Sequence, residues 1–219
     1  MADGAETVVL IHGLWMHGVV LHPYQRWLRA EGFTVCRFSY PSWRAGMAAN
    51  VRSLSNFVGE TQGAVIHLVA HSLGGLLVLN MLGGEHDPRI RRMVLLGTPS
   101  AGSHCGSRIS ATPALRALLG QTVKNWLIDQ LMHSLGGTRR AVPPSIEIGV
   151  IAGTRSIGFG RLVPGLPRPN DGLIAVGETF LAEAKDSIVL DVNHSGMLVS
   201  RSCAAQIASF LRTGSFVHV

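Results

Sequence analysis

The feature that most constrains this chain is a serine held between two apolar segments. The run Val65–Val69 predicts a buried strand, and Leu76–Leu79 belongs to a predicted helix. The six residues between them, Ala70–Gly75, read Ala-His-Ser-Leu-Gly-Gly and predict a very tight turn with Ser72 at its apex. Small residues on both sides let the strand and the helix approach closely. We therefore predict that the Ser72 hydroxyl is presented rather than buried.

A serine at the start of a helix suits nucleophilic catalysis. The helix dipole favours negative charge there, and the backbone N–H of Leu73 points to where an oxyanion would form. A hydroxyl is a weak nucleophile at neutral pH, so this hypothesis requires a base, a group that orients the base and a second oxyanion donor. An ordinary strand-turn-helix corner is the alternative that these six residues alone leave open.

Candidates for the base and its partner lie towards the C-terminus. Residues 186–192 predict a strand, and His194 follows it on a loop before a helix predicted from about residue 200 to residue 212. Another strand is predicted over residues 146–152. The loop after that strand ends in the turn-prone sequence Pro-Asn-Asp-Gly, where the carboxylate of Asp171 can face a cleft.

Two other aspartates compete with Asp171 for the role of the acid. Asp191 lies three residues before His194 on the same predicted strand, so its carboxylate reaches the far ring nitrogen poorly. Asp87 lies in a glycine-containing turn that is predicted to connect a helix to a strand at the surface. The strand predicted over residues 92–96 runs into Gly-Thr-Pro and offers no carboxylate. Asp171 is therefore the favoured acid.

The second oxyanion donor is expected after the first predicted strand, Thr7–Ile11. That strand runs into His12, Gly13 and Leu14, where the glycine lets the backbone bend back over the site. The backbone N–H of Leu14 would then act beside that of Leu73. We expect the ring of His12 to brace the loop through hydrogen bonds rather than to transfer protons.

Taken together, these segments resemble an α/β-hydrolase, specifically a compact member of the lipase and esterase group. The matching residues span nearly all of the chain: Val8–Gly13, Ala70–Gly75, Asn170–Gly172 and Asn193–Gly196. Ala70 stands where the usual Gly-x-Ser-x-Gly pattern has its first glycine. The resemblance implies a three-layer α/β fold with a mostly parallel central sheet, helices on both faces and a small helical insertion.

The resemblance also implies a carboxylic ester hydrolase. Ser72 would be the nucleophile, Asp171 the acid and His194 the base, in the chain order that this fold uses. Such chemistry needs no metal or organic cofactor, and we expect neither. The same residues serve acyl transfer and thioester hydrolysis, which stay open. A hydrolase fold kept as a non-catalytic binding protein is the alternative from another class.

The order of the remaining predicted elements favours a single α/β-hydrolase domain over residues 1–219. A helix is predicted over residues 23–30, a strand over residues 33–38 and an amphipathic helix over residues 44–60. Strands alternating with helices are typical of a parallel sheet. The near-continuous apolar strands agree, because such sheets are covered on both faces.

Residues 98–144 predict an insertion that forms a small cap or a pocket wall. It leaves from the carboxyl end of a strand, where open α/β sheets bind their ligands. Its first part, Gly102–Ser107, is loop-like, and short helices are predicted over residues 113–119 and 123–133. Apolar residues of the second helix either line an acyl site or pack on the core: Trp126, Leu127, Ile128, Leu131 and Met132.

The charges of the chain favour a small-molecule partner over nucleic acid. The formal net charge is +6, but the basic residues are scattered and form no stripe interleaved with aromatic residues. Three arginines lie near the proposed acid and either contact an acidic group of the substrate or are ordinary surface charges: Arg155, Arg161 and Arg168. We expect an ester or lipid substrate. Peripheral contact with a membrane and the oligomeric state stay open.

Cysteine and histidine usage suggests a cytoplasmic protein without a metal site. The three cysteines cannot all pair, and Cys36 and Cys203 fall within a predicted strand and helix. No secretory signal or membrane-spanning stretch is visible, so a cytoplasmic location is expected unless a signal has been removed. The spacing of His12, His17 and His22 fits neither face of a helix or strand, and no His-Glu-x-x-His pattern occurs.

Overall fold

A six-stranded parallel sheet forms the centre of the molecule. The computed structural model describes residues 6–111, 120–125 and 142–218. The strands are β1 (Glu6–Ile11), β2 (Thr34–Phe38), β3 (Val65–His71), β4 (Ile90–Leu96), β5 (Glu147–Gly153) and β6 (Asp186–Leu190). Their spatial order is β2-β1-β3-β4-β5-β6, and every neighbouring pair is parallel. The predicted parallel α/β architecture is confirmed.

Helices cover both faces of this sheet. They are α1 (His22–Ala30), α2 (Met47–Glu60), α3 (Leu73–Leu82), α4 (His104–Ala111) and α5 (Arg201–Thr213). Short 3-10 helices lie at Gly18–Leu21, Phe159–Leu162, Val176–Thr179 and Gly196–Val199. Helices α1 and α5 share one apolar cluster with the sheet, while α2 and α3 share the other. The result is the predicted arrangement of three layers.

Strand β1 shows why the sequence of the strands is almost continuously apolar. Val9 and Ile11 belong to the cluster beneath α2 and α3, while Val8 and Leu10 belong to the cluster beneath α1 and α5. Alternate residues of a strand point to opposite faces, so a strand covered on both faces needs apolar side chains throughout.

The strand order reverses beside β1, and this places the functional loops. From β1 the chain passes to β2 on one side, and β3 then pairs with β1 on the other side. In open α/β sheets, ligands bind outside the carboxyl ends of the strands at such a switch point. The loop after β1 and the turn after β3 are therefore neighbours at the carboxyl edge of the sheet.

Several predicted boundaries were wrong by a few residues, as two of them show. Helix α2 begins at Met47 rather than at residue 44, because residues 41–45 form turns in which the Arg44 and Ala45 N–H groups donate to the Pro41 carbonyl. Strand β6 ends at Leu190 rather than at residue 192. Boundaries depend on such local hydrogen bonds more than on apolar periodicity.

The loop predicted at Gly102–Ser107 was wrong, because helix α4 begins at His104. Ser103 precedes the helix, and its hydroxyl accepts the Gly106 N–H at 3.0 Å, as an N-cap serine does. The Glu178 carboxylate accepts the His104 N–H. Glycine and serine in this stretch suggested a loop, whereas the serine acts as a cap.

The rest of the insertion is described only in part. Residues 120–125 are helical, so the start of the helix predicted over residues 123–133 is helical as far as the description reaches. The helix predicted over residues 113–119 and the proposed acyl-lining residues lie outside the described residues: Trp126, Leu127, Ile128, Leu131 and Met132. Within the three described ranges, every helix is too short or too polar to cross a bilayer.

Candidate active site

Ser72 lies at the apex of a strained turn between β3 and α3. Its φ and ψ are 55° and −123°, in the left-handed half of the backbone map that a residue with a side chain rarely adopts. The Ser72 N–H donates to the Leu96 carbonyl at 2.8 Å, and the Thr98 hydroxyl donates to the Ser72 carbonyl at 3.2 Å. Hydrogen bonds from the end of β4 thus hold the turn in its strained form.

The glycines after Ser72 are needed for the close approach that the sequence predicted. A Cβ atom built on Gly74 would lie 2.5 Å from the His12 carbonyl oxygen and 2.9 Å from that of Ile11. These are backbone atoms at the end of β1, so they cannot move aside as a flexible side chain would. Helix α3 can therefore begin against β1 only because this position lacks a side chain.

The structure brings Ser72, Asp171 and His194 into one chain of hydrogen bonds. His194 Nε2 lies 2.9 Å from Ser72 Oγ, and His194 Nδ1 lies 2.7 Å from Asp171 Oδ2. The imidazole therefore donates its Nδ1 proton to the carboxylate and accepts the serine proton at Nε2. Asp171 is 1% exposed and His194 is 6% exposed, so bulk water competes little for these bonds.

Backbone N–H groups hold the carboxylate of Asp171 in place. Its Oδ1 atom accepts the Leu173 N–H at 2.9 Å and the Ile174 N–H at 2.7 Å. Its main-chain carbonyl accepts the His194 N–H at 2.8 Å. Oδ2 is left facing the imidazole. Asp171 and the loop that carries the imidazole are therefore joined through both main chain and side chain.

Gly97, directly after β4, leaves the space that this pair occupies. A Cβ atom built there would lie 3.0 Å from His194 Nδ1 and 3.1 Å from Asp171 Oδ2, and its φ is +54°. No carboxylate follows β4 in the sequence. The structure shows instead that the carboxylate of Asp171, from the loop after β5, crosses over this glycine.

The loop after β1 lies directly against the serine turn. A Cβ atom built on Gly13 would lie 3.2 Å from Ser72 Cβ and 3.1 Å from His71 Nδ1. Further along, Trp15 has a φ of 58°, and its N–H donates to Ser42 Oγ at 3.1 Å. The proposed oxyanion residue Leu14 thus lies in a loop fixed against Ser72 on one side and against the loop after β2 on the other. Leu73 is the first residue of α3.

His12 braces this loop, in line with the expectation from sequence. It is 0% exposed, and both of its ring nitrogens bind main-chain groups. Nε2 accepts the Tyr40 N–H at 3.2 Å, and Nδ1 donates to the Gly13 carbonyl at 2.8 Å. Burial lowers the pKa of this imidazole, which keeps it neutral.

His71, immediately before Ser72, is a second buried histidine at the site, and no sequence motif predicts a role for it. Its Nε2 atom donates to the His194 carbonyl at 3.0 Å, and its ring centroid lies 4.7 Å from that of His194. Nδ1 has no hydrogen-bond partner. Burial, with a smaller contribution from the His194 charge, lowers the pKa of His71 to about 3. The ring is therefore neutral next to the proposed base.

We predict that this buried histidine makes the protein sensitive to mild acid. Below pH 6.5 the unfolded chain binds a proton at His71 that the folded protein excludes until about pH 3, so acidification destabilises the fold. Between pH 7 and pH 5, the parent should lose about 2 kcal/mol of unfolding free energy relative to His71→Gln, whose amide can keep the donor to His194. Urea titrations at both pH values measure this. An equal loss in both proteins would contradict it.

The competing aspartates bind arginines instead of the imidazole. Asp191 pairs with Arg155 at 2.7 Å, and both side chains are exposed. Asp87 binds the Arg89 guanidinium at 2.6 Å, just before β4 and at the opposite edge of the sheet from Ser72.

The three arginines near the proposed acid differ in their surroundings. Arg155 is occupied by Asp191, whereas Arg168 is exposed and lines a cavity of about 220 Å³ with Ser156 and Asn170. The side chain of Arg161 lies outside the described part of the structure.

Other site residues were missed by sequence reasoning. Tyr40, Ser42 and Thr98 support the loops through hydrogen bonds across strands, and no local motif reveals such contacts. Of these three residues, only Thr98 lies in a recognisable turn sequence, the Gly-Thr-Pro that follows β4. As far as the chain is described, no cluster of three or more His, Cys, Asp or Glu side chains is placed to hold a metal ion.

Solved structures share the fold at low sequence identity. The mature lipase BlEst2 of Bacillus licheniformis matches with a TM-score of 0.68 and 16% identity, over 96% of this chain and 92% of the lipase. A lipase-esterase related protein of Clostridium acetobutylicum matches with a TM-score of 0.60 and 13% identity, over 99% and 98%. Carboxylesterase CesB of Bacillus subtilis matches with a TM-score of 0.54 and 14% identity, over 97% and 86%.

Sequence comparison adds the family. No curated protein matches the sequence significantly. The model of the alpha/beta hydrolase family matches residues 8–198, which include the loop after β1, the serine turn, Asp171 and His194. With this match over most of its length, the chain belongs to the alpha/beta hydrolase family.

Proposed function

We propose that the protein is a serine hydrolase that cleaves carboxylic esters through an acyl-enzyme on Ser72. The observation that carries this proposal is the hydrogen-bonded series of Ser72 Oγ, His194 and Asp171, with distances of 2.9 and 2.7 Å. Its order and atoms are those required of a nucleophile, a general base and an orienting acid. Membership of the hydrolase family supports the same conclusion.

In the first half of the reaction, His194 Nε2 takes the proton of Ser72 as Oγ bonds to the ester carbon. The carbonyl electron pair moves to oxygen, and the imidazolium is stabilised by Asp171 through Nδ1–H. When the carbonyl re-forms, the alkoxy group leaves and takes a proton from His194 Nε2. The products of this half are an alcohol and acylated Ser72.

In the second half, water replaces the alcohol and the same groups act again. His194 removes a proton from water, the hydroxyl oxygen bonds to the acyl carbon, and Ser72 Oγ leaves with the proton held by His194. The carboxylic acid departs and the free enzyme is restored. Each step uses only groups of this chain and water.

The backbone N–H groups of Leu14 and Leu73 are proposed to hold the oxyanion. Leu73 begins α3 directly after the nucleophile, so its N–H lies at the positive end of a helix. Leu14 follows Gly13, which lies against Ser72. Fixed donors that meet charge only as it develops stabilise the transition state more than the bound ester.

Residues 98–144 are proposed to form one wall of the acyl pocket. Helix α4 starts just beyond Thr98, whose hydroxyl contacts the serine turn. Its first residue, His104, donates its N–H to Glu178 and its ring Nε2 to the Pro164 carbonyl. These bonds join the start of the insertion to the loop that carries the acid, beside the proposed site.

A panel of nitrophenyl esters graded by acyl length, with one thioester and one amide, tests the reaction class. We expect turnover of short and medium esters, and stoichiometric labelling of Ser72 by a fluorophosphonate probe located by mass spectrometry. Faster thioester cleavage, or transfer to an added alcohol, would favour the thioesterase or acyltransferase alternative. A folded protein that neither labels nor turns over any ester would contradict the proposal and favour a binding protein.

A further inference from the structure

The peptide between Gly13 and Leu14 has two orientations with opposite consequences for catalysis. In one orientation the Leu14 N–H faces the developing oxyanion. In the other the Gly13 carbonyl faces it and would repel negative charge. Glycine carries no side chain to oppose such a rotation, so its peptide turns over at low cost. A Cβ atom there would lie 3.2 Å from Ser72 Cβ, which is tighter than ordinary van der Waals contact, so glycine fits this position best and another device is needed to fix the orientation of its peptide.

A hydrogen bond from the preceding residue fixes the orientation. His12 Nδ1 donates to the Gly13 carbonyl at 2.8 Å. The carbonyl and the N–H of one trans peptide point in opposite directions, so the Leu14 N–H points away from the His12 ring. Rotation of the peptide would break this bond and leave a buried Nδ1–H without a partner, which is unfavourable.

The protonation of the His12 ring is determined by Tyr40. The Tyr40 N–H donates to His12 Nε2 at 3.2 Å, so the single ring proton of the neutral imidazole must be on Nδ1. The Tyr40 hydroxyl donates to the His12 carbonyl at 3.0 Å, and the two rings stack with centroids 4.5 Å apart. The ring cannot rotate or change tautomer without losing these contacts.

We propose that His12 is a positioning residue that locks the Gly13–Leu14 peptide with its N–H directed to the oxyanion. This inference rests on the proposed function, because it explains how one of the two proposed oxyanion donors, the Leu14 N–H, is held in its orientation. It gives the imidazole a role in which no proton is transferred. The role needs a neutral ring with its proton on Nδ1.

Three variants separate this role from a general loosening of the loop. His12→Leu removes both hydrogen bonds, and His12→Asn places an amide N–H near the position of Nδ1. His22→Leu is the control on an exposed ring at the start of α1. Loss of one oxyanion donor costs about 100- to 1000-fold in kcat, and an unlocked donor should cost less. We expect His12→Leu to lower kcat by about 10- to 100-fold with KM little changed, and His12→Asn to recover much of the loss. The kcat of His22→Leu should stay near that of the parent.

Two further measurements do not depend on turnover by the variants. Nitrogen-15 spectra of the parent should show the ring proton of His12 on Nδ1, and the spectrum is informative even if His12→Leu does not fold. Fluorophosphonate should still label Ser72 of His12→Leu to completion, although more slowly. If the parent itself does not label, the proposed function fails, and the spectrum alone then tests the locked tautomer.

The inference would be overturned by any of three results. The ring proton of His12 could be found on Nε2. The leucine variant could keep the parent kcat, or lose activity only through a raised KM. The asparagine variant could fold like the parent and yet be as slow as the leucine variant.

Discussion

Replacing Ser72 with alanine should lower kcat for ester hydrolysis on the order of a million-fold while the protein stays folded. Loss of the nucleophile has this effect in a dissected serine triad, because the remaining groups cannot form the acyl-enzyme. The substitution removes one hydrogen bond to His194 Nε2, so the unfolding free energy should change by only about 1 kcal/mol. Steady-state kinetics on the best nitrophenyl ester and urea unfolding measure the two quantities.

Ser195→Ala is the matched control for this substitution. Ser195 is an exposed serine next to the proposed base, so its loss removes a hydroxyl near the site without touching the hydrogen-bonded series. Its kcat should lie within about twofold of the parent. Ordinary esterase activity in folded Ser72→Ala would exclude Ser72 as the nucleophile, and an equal loss in both variants would show that the effect is not specific to that hydroxyl.

The elements closest to the site were the easiest to predict, because each is encoded by a short stretch of sequence. The apolar run of β3, the small residues around Ser72 and the apolar start of α3 act on adjacent parts of the backbone. A parallel sheet then brings the ends of its strands to one edge without further information. This is why the sequence could nominate Asp171 and His194, which lie far from Ser72 along the chain.

The residues that support the site were hidden from sequence reasoning because they act across the fold. Tyr40 was assigned to no role, yet its N–H and its hydroxyl hold His12 from the loop after β2. In the sequence Gly97 looks like an ordinary turn glycine. In the fold its missing side chain leaves room for atoms of Asp171 and His194. Such roles depend on which loops meet, and this is set only when the sheet is assembled.

Two buried histidines bind main-chain groups of two different loops at the site. His12 holds the loop that carries one proposed oxyanion donor, and His71 donates to the carbonyl of the proposed base. Burial lowers the pKa of both rings, so neither carries a positive charge at neutral pH. A cation at His71 would oppose the imidazolium that is proposed to form on His194 during the reaction. Neutral donors position the main chain without that electrostatic cost.

Asp171→Asn should lower kcat by about 10,000-fold, because the local hydrogen bonds determine how the amide is oriented. The N–H groups of Leu173 and Ile174 both donate to the Oδ1 position, so they will hold the amide oxygen there. The amide nitrogen then takes the Oδ2 position, 2.7 Å from His194 Nδ1. Two N–H groups cannot face each other, so the imidazole moves its proton to Nε2. That nitrogen then points a proton at Ser72 and can no longer accept one.

Asp191→Asn supplies the comparison that distinguishes the two aspartates. Asp191 lies closer to His194 along the chain, but its exposed carboxylate pairs with Arg155. The kcat of Asp191→Asn should therefore lie within about twofold of that of the parent. Nitrogen-15 spectra of the imidazole should show the His194 proton on Nδ1 in the parent and in Asp191→Asn, and on Nε2 in Asp171→Asn. The assignment of the acid is wrong if the two variants exchange these results, because proximity along the sequence would then outweigh the contact made in the fold.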